Sequence, residues 1–189
     1  TGIDAAAIPY VKLLTAEAKI RACLFAEEGG DAGLDFRDTE NRAVLSLRTT
    51  FEMRPSLAMA DSSFVARVWL GLDDDNWTLF SLLDPKGHAR FQSGVRPDGS
   101  SYTGLRDAEG DSRLLLEGDT DGRPSLLMYD DAGKLRTGLY LATSGENSQL
   151  RFSDPSGNER AWLGYDDAGG VSLNFYDSSK RLRACVGTP

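Results

Sequence analysis

Aspartates at positions 38, 61, 84, 107, 130, 154 and 177 follow one another at steps of 23, 23, 23, 23, 24 and 23 residues. Nothing else in the chain constrains its fold as strongly, because such a period means one small supersecondary unit copied along the chain. The fullest copy is Asp154-x-x-Gly157-x-x-Arg160-Ala161-x-Leu163; Asp84, Asp107 and Asp130 head copies with the same Gly and Arg, at Gly87/Arg90, Gly110/Arg113 and Gly133/Arg136. Asp61…Arg67 and Asp177…Arg183 lack the Gly, and the copy at Asp38 has its Arg only four residues on, at Arg42. Counting back 23 from Asp38 lands on Thr15, with Arg21 six later, so a degenerate first copy begins there. An Asp can open a turn by accepting bonds from its own backbone, and Gly relieves the turn by adopting positive φ.

Between the turns, apolar residues alternate. Pairs stand four and two residues before each turn Asp: Leu34/Phe36, Leu57/Met59, Phe80/Leu82, Leu126/Met128, Leu150/Phe152 and Leu173/Phe175, weakened to Thr103/Leu105 in one copy. A spacing of two is the strand period, so each repeat reads as two short strands and two turns. Ala16–Glu28 has a helix-favouring composition, but its apolar residues also alternate and it reads as a strand. Residues 1–14 fall outside the pattern and form a lead-in segment, where Asp4-Ala5-Ala6-Ala7 could start a short helix that Pro9 interrupts. Residues 15–189 form a single β-hairpin repeat domain of about seven to eight repeats.

The second turn of each repeat, as in Asp119-Thr120-Asp121-Gly122, Arg96-Pro97-Asp98-Gly99 and Asp166-Asp167-Ala168-Gly169, suits a type I turn closed by a Gly bulge. That register sets Leu163 opposite Leu173 and Leu116 opposite Leu126, on one face. For the Asp-x-x-Gly turn the same register would throw the apolar sets onto opposite faces. A tighter turn pairing Asp130 with Gly133 keeps them together, with Met128 opposite Leu135 and Leu126 opposite Thr137. The tighter turn is the expectation, with a bulged corner as the alternative.

The expected fold class is therefore all-β: an antiparallel meander of tandem ~23-residue two-strand repeats, about 14 to 16 strands in all. A sheet with one apolar face must hide it, by closing as a β-prism, solenoid or barrel, or by oligomerisation. On this reading Leu116→Asp destabilises the fold far more than Glu117→Ala. The opposite face carries Trp69, Trp162, Leu115, Leu127, Tyr129, Tyr140 and Tyr176 among charges, more aromatic surface than a wet face usually shows. Trp69, Trp162, Tyr129, Tyr140 and Tyr176 are the candidate ligand or subunit contacts, and a homo-oligomer or protein complex is the expected partner state.

Composition excludes several classes. A net charge of −8 argues against nucleic acid as the main ligand. No apolar run reaches 18 residues, so no transmembrane segment is expected. The first residue is Thr1 rather than Met, a start compatible with a removed leader, anchor or tag. Cys23 and Cys185 lie in matching Arg-Ala-Cys contexts at the two ends of the array and read as small, half-buried thiols. The sharper reading is a disulfide closing a ring or joining two chains. His88 is the single histidine, in a polar turn, with no nucleophile arranged around it. The acidic groups Asp73-Asp74-Asp75-Asn76, Asp119-x-Asp121 and Asp130-Asp131 do not have the spacing of a calcium loop. Carboxylates repeated at every turn point to structure rather than to a catalytic pair. No metal, cofactor or catalytic residue is expected.

Tyr129-Asp130-x-x-Gly133-Lys134-Leu135 and Tyr176-Asp177-x-x-x-Arg181-Leu182 resemble the tyrosine–aspartate (YD) repeats of rearrangement-hot-spot type shells, which are β-rich secreted or surface proteins. Over residues 15–187 the chain more closely resembles uncharacterised bacterial proteins built of Asp-x-x-Gly-x-x-Arg-Ala-x-Leu hairpin repeats. That likeness implies the hairpin fold and a scaffold-like role, and supplies no catalytic residues. The expected function is a non-enzymatic structural or assembly repeat protein, a scaffold or subunit of a larger complex. The alternative is a carbohydrate- or surface-binding module using the Trp/Tyr face.

Overall fold

The computed structural model describes residues 2–3, 9–27, 29–50, 52, 54–141, 148–165 and 170–187. Among them every regular element is a strand, and the residues cluster into two compact units, Thr1–Pro97 and Asp98–Pro189. The first unit contains β1 (Gly2–Ile3), β2 (Pro9–Leu14), β3 (Ile20–Ala26), β4 (Ala32–Arg37), β5 (Ala43–Thr49), β6 (Pro55–Ala60), β7 (Ala66–Leu72), β8 (Thr78–Leu83) and β9 (Ala89–Val95). The second contains β10 (Ser101–Arg106), β11 (Ser112–Gly118), β12 (Pro124–Tyr129), β13 (Leu135–Tyr140), β14 (Gln149–Ser153), β15 (Glu159–Tyr165), β16 (Val171–Tyr176) and β17 (Leu182–Gly187). Within each unit every strand pairs antiparallel with the next. The sheet is a meander and hydrogen bonds do not close it.

Ala16–Glu28 contributes a strand, β3, as its alternation predicts. Part of the lead-in is already in the sheet: Pro9–Leu14 is β2, hairpinned to β3 through a turn in which the Thr15 amide donates to the Lys19 carbonyl. Asp4–Ala7, the expected helix start, and the Asp166–Gly169 turn lie outside the described residues.

The expected tight turn at Asp130 is not what forms. The Asp130 amide donates to Lys134 O at 3.0 Å and the Gly133 amide to Asp130 O at 3.1 Å, a five-residue turn. The other turn, at Asp119, has the same pattern, Asp119 N to Arg123 O at 3.2 Å and Gly122 N to Asp119 O at 3.0 Å. Face continuity comes instead from a bulge just past the Asp130 turn. Tyr129 pairs with Leu135 but Met128 pairs with Thr137, so Arg136 is the extra residue. That single insertion shifts the alternation by one and returns Leu139 to the face of Leu126. The same shift makes Arg21, Arg67, Arg90, Arg113, Arg160 and Arg183 bulge residues, and Val44 in the copy where Arg is displaced. From Asp107 to Asp130 the spacing is thus a five-residue turn, seven-residue β11, a second five-residue turn and six-residue β12.

With the faces aligned, apolar residues meet across neighbouring strands. Leu163 stands opposite Leu173 and Leu116 opposite Leu126, as the hydrophobic pattern predicts. Leu34 faces Leu47, Leu57 faces Leu70, Leu139 faces Leu150 and Leu173 faces Val186, so two apolar rows run across each unit. Cross-strand pairs of this kind contribute about 0.2–1 kcal/mol each.

This ladder is the less buried of the two faces, and of the two expected ways of hiding it, closure within one chain or oligomerisation, hydrogen bonds do not supply the first. Leu47, Leu70, Leu116 and Leu163 are 51%, 45%, 49% and 41% exposed, whereas Leu79, Tyr102 and Leu127 on the opposite face are buried. The reason is that large side chains on the opposite face lie sideways over glycine. Gly138, flanked by Leu127 and Arg151, lies beneath the Tyr140 ring, which a Cβ there would meet at 2.5 Å. Such lateral cover buries the backbone without a second layer of sheet.

Candidate functional site

The turns at one end of each unit are built from a repeated Asp–Arg unit. Asp130 Oδ1 accepts from the Ala132 amide at 3.0 Å and the Lys134 amide at 2.9 Å, and the same pattern recurs at Asp38, Asp61, Asp84, Asp107, Asp154 and Asp177. The Lys134 amide holds the Asp130 carboxyl below its ordinary range against opposing desolvation, and Arg136 adds to the lowering. Because Arg136 is the bulge residue, its side chain folds back over the turn, with Nη1 3.3 Å from Asp130 Oδ2. Its Nε donates to Ser153 O, at the next turn, at 2.8 Å. Arg67 and Arg160 repeat both contacts, to Asp61 and Leu83 O, and to Asp154 and Tyr176 O. Arg113 likewise contacts Asp107 and the Asp130 carbonyl. Where Arg42 replaces the bulge Arg, it pairs with Asp38 at 2.8 Å and its guanidinium lies 3.8 Å from the Phe64 ring of the following turn. The repeated motif is a clamp between adjacent hairpins.

The expected contact residues separate. Trp69 lies on β7 between Ala58 and Ser81 and lines a shallow cavity of about 460 Å³ with Arg54 and Asp74, which pair with each other. In the second unit, Tyr140 and Trp162 are joined through two polar side chains. Trp162 Nε1 donates to Gln149 Oε1 at 2.6 Å, Arg151 Nη2 to the same oxygen at 2.9 Å, and the Arg151 guanidinium lies 5.9 Å from the Tyr140 ring. Burial, then Glu117 and Tyr140, raise the Tyr129 phenol. Tyr176 is half-buried on β16, and its carbonyl serves the Arg160 clamp. Cys23 is buried and Cys185 exposed, and both are free thiols. Cys23 shares a register row with Trp69, and Cys185 with Trp162.

His88 Nδ1 lies 3.8 Å from Asp84 Oδ2 on an exposed turn. Asp73 and Asp119 accept amides of their own turns, and among the described residues no three metal-ligating side chains converge. Among those residues, no helix is long and apolar enough to cross a membrane.

One polar cluster escaped the sequence reading. Asp35, on β4, is fully buried and accepts from Arg37 Nη2 at 3.1 Å, Ser46 Oγ at 2.8 Å and Arg48 Nη2 at 3.1 Å. Arg37 and Arg48 help to line a cavity of about 230 Å³ with Lys12, Tyr10 and Phe25. The equivalent position, three before the turn Asp, holds Ala58, Ser81, Gly104, Leu127, Arg151 and Asn174 in the other copies. A carboxylate at that one slot was the available signal, visible only when the copies are laid over each other.

No protein-family model and no curated protein matches the chain. Among solved structures, the TCP domain of SAS-4 in complex with a proline-rich motif of Ana2, from Drosophila melanogaster, aligns with 92% of this chain and 88% of its own length. The identity is 12% and the TM-score 0.40.

Proposed function

We propose that this protein is a non-enzymatic assembly module whose leucine ladder is covered by another sheet of the same kind, in a homo-oligomer or as a subunit of a larger complex. The observation that carries the reading is the ladder itself. Two apolar rows cross each unit, and Leu24, Leu47, Leu70, Leu116, Leu163 and Val186 on them are between 41% and 68% exposed. Covering one such side chain contributes on the order of 1 kcal/mol, about half of the 1.5–3 kcal/mol for complete burial. Repetition of the carboxylate at the turns of Asp38, Asp61, Asp84, Asp107, Asp130, Asp154 and Asp177, each used by its own backbone, supports structure over catalysis. Light scattering during size exclusion tests the proposal: a mass at a multiple of 20.5 kDa, or a stable complex with another protein, is expected. A monodisperse 20.5 kDa species that binds no apolar dye and no partner sinks it.

The second reading, a carbohydrate- or surface-binding module, draws on the Tyr140–Arg151–Gln149–Trp162 cluster. It requires glycan binding that Trp162→Ala removes while thermal stability is kept. An array without signal disposes of it.

A further inference from the structure

We infer that the cavity beside Asp35 is a binding site for a small organic monoanion, a carboxylate carried next to an aromatic or apolar group. The inference stands apart from the assembly role, since the cavity lies on the face opposite the ladder. Its wall has three cations, Lys12, Arg37 and Arg48, and two carboxylates, Asp35 and Glu27. The Asp35 carboxylate is shared between two guanidiniums at 3.1 Å, so it neutralises one of them. A net positive wall in a chain of net charge −8 is a local exception.

Donor capacity remains after Asp35 is satisfied. Arg37 Nη2 bonds Asp35 and Nη1 donates to Asn41 O at 3.0 Å, but its Nε is buried without a partner, alone among the buried side-chain polar atoms of the described residues. A buried donor left unmade is unfavourable, and an acceptor that a ligand brought to it would relieve that. Arg48 is held from two sides. Its Nη2 bonds Asp35, and its guanidinium lies 5.4 Å from the Phe25 ring, crossing Gly33, whose missing side chain leaves room for it.

Charge and size choose the ligand class. One net positive charge suits a monoanion; a phosphate dianion would leave charge uncompensated beside Glu27. Guanidinium N–H groups match a carboxylate in geometry and bind it with charge-assisted bonds. Tyr10 and Phe25 offer ring surface to whatever the carboxylate carries. A volume of about 230 Å³ lies below the roughly 300–1,000 Å³ of drug-sized sites. A free small acid and the C-terminal carboxylate of a peptide share this chemistry.

The test uses the full chain, labelled with ¹⁵N-arginine, at constant ionic strength. Titration with sodium benzoate is expected to move the Arg37 Nε–H resonance saturably, the resonance being identified by its loss in Arg37→Lys. Benzyl alcohol and sodium phosphate are expected to leave it in place. Arg48→Gln, checked for folding by circular dichroism, should weaken benzoate binding about tenfold, the loss of one charge-assisted contact. Lys12→Gln, which leaves the Asp35 cluster intact, should weaken it in the same direction. A dipeptide ending in a free Phe carboxylate, against its amide, separates the two sources: tighter binding of the peptide acid assigns a chain terminus, tighter benzoate a free acid. No saturable shift with either acid, an equal shift with phosphate, or unchanged binding in both Arg48→Gln and Lys12→Gln overturns the inference.

Discussion

At the scale of single residues, the fourth turn position decides local strain. Gly87, Gly110, Gly133 and Gly157 hold positive φ there, and Ala18, Asn41, Phe64 and Lys180 are forced into the same region at φ between 60° and 67°. An L side chain in that region costs roughly 1–2 kcal/mol, partly offset by the greater freedom of an unfolded Gly. Lys180 is exposed, so Lys180→Gly is expected to stabilise by about 0.5–1 kcal/mol, seen as a melting point up to ~4 °C higher. Gly133→Ala, with nothing within 4 Å of its new Cβ, should lose a similar amount through φ alone. Melting points that move the other way, or not at all, would dismiss the strain account. The turn aspartates make a second prediction. At Asp38, Asp130, Asp154 and Asp177 a turn amide acts first to lower the carboxyl, ahead of opposing desolvation, with Arg or Asn contacts assisting. At Asp84 and Asp107 desolvation acts first and raises the carboxyl, but the amides and cations outweigh it. A carboxyl lowered in the folded state stabilises above its unfolded pKa near 3.8, and that stabilisation fades as pH falls through the folded value. Thermal stability should therefore hold near pH 5 and fall progressively below about 3.8; a flat profile from about pH 5 to 2 contradicts the capping role.

At the scale of the element, the hairpins show how far the sequence could be read. Strand identity, alternation and the facing of Leu116 with Leu126 were legible, because period and apolar pairs both report on side-chain direction. The turn at Asp130 was not. Its parity problem has two solutions, a shorter turn or an extra residue, and the hydrophobic pattern cannot separate them. The Arg itself held the answer: a residue that must reach its own turn Asp and the next hairpin's carbonyl has to leave the regular alternation. Arg136→Ala is expected to cost about 1 kcal/mol, less than a buried charge-assisted hydrogen bond, since the side chain is 35% exposed. Arg136→Lys should recover little of that loss, because an ammonium lacks the fork that meets both acceptors. Lys134→Ala, in the same turn with an exposed side chain, should stay within about ±0.5 kcal/mol. Chemical denaturation of the three variants checks the order, and equal midpoints for Arg136→Ala and Lys134→Ala would remove the clamp from the account. The cavity beside Asp35 was hidden for a different reason: its lining comes from four strands, and only the register places Lys12, Cys23 and Asp35 in one row.

At the scale of the whole molecule, the question is what the uncovered ladder does to stability. Within each unit the sheet gains its backbone bonds and one set of lateral contacts, but its ladder side chains keep roughly half of their surface in water. If association covers them, folding and assembly are linked, and apparent stability rises with protein concentration. Leu116 is the position to use, being 49% exposed and flanked by Leu126 and Thr103 in register. In an isolated chain Leu116→Asp costs little, unlike the strong destabilisation the apolar pattern alone suggests, since at 49% exposure the new carboxylate stays in water. In an assembled protein it places a charge in an apolar interface, which is expensive unless paired. Glu117→Ala changes the opposite face and leaves the ladder intact. The assembled protein should therefore melt at temperatures that climb with concentration. Leu116→Asp should abolish that dependence and reduce the light-scattering mass to 20.5 kDa, with the β-type circular dichroism spectrum kept, while Glu117→Ala behaves as the parent. Concentration-independent melting of the parent, or an unchanged mass in Leu116→Asp, would mean that the ladder is not the assembling face.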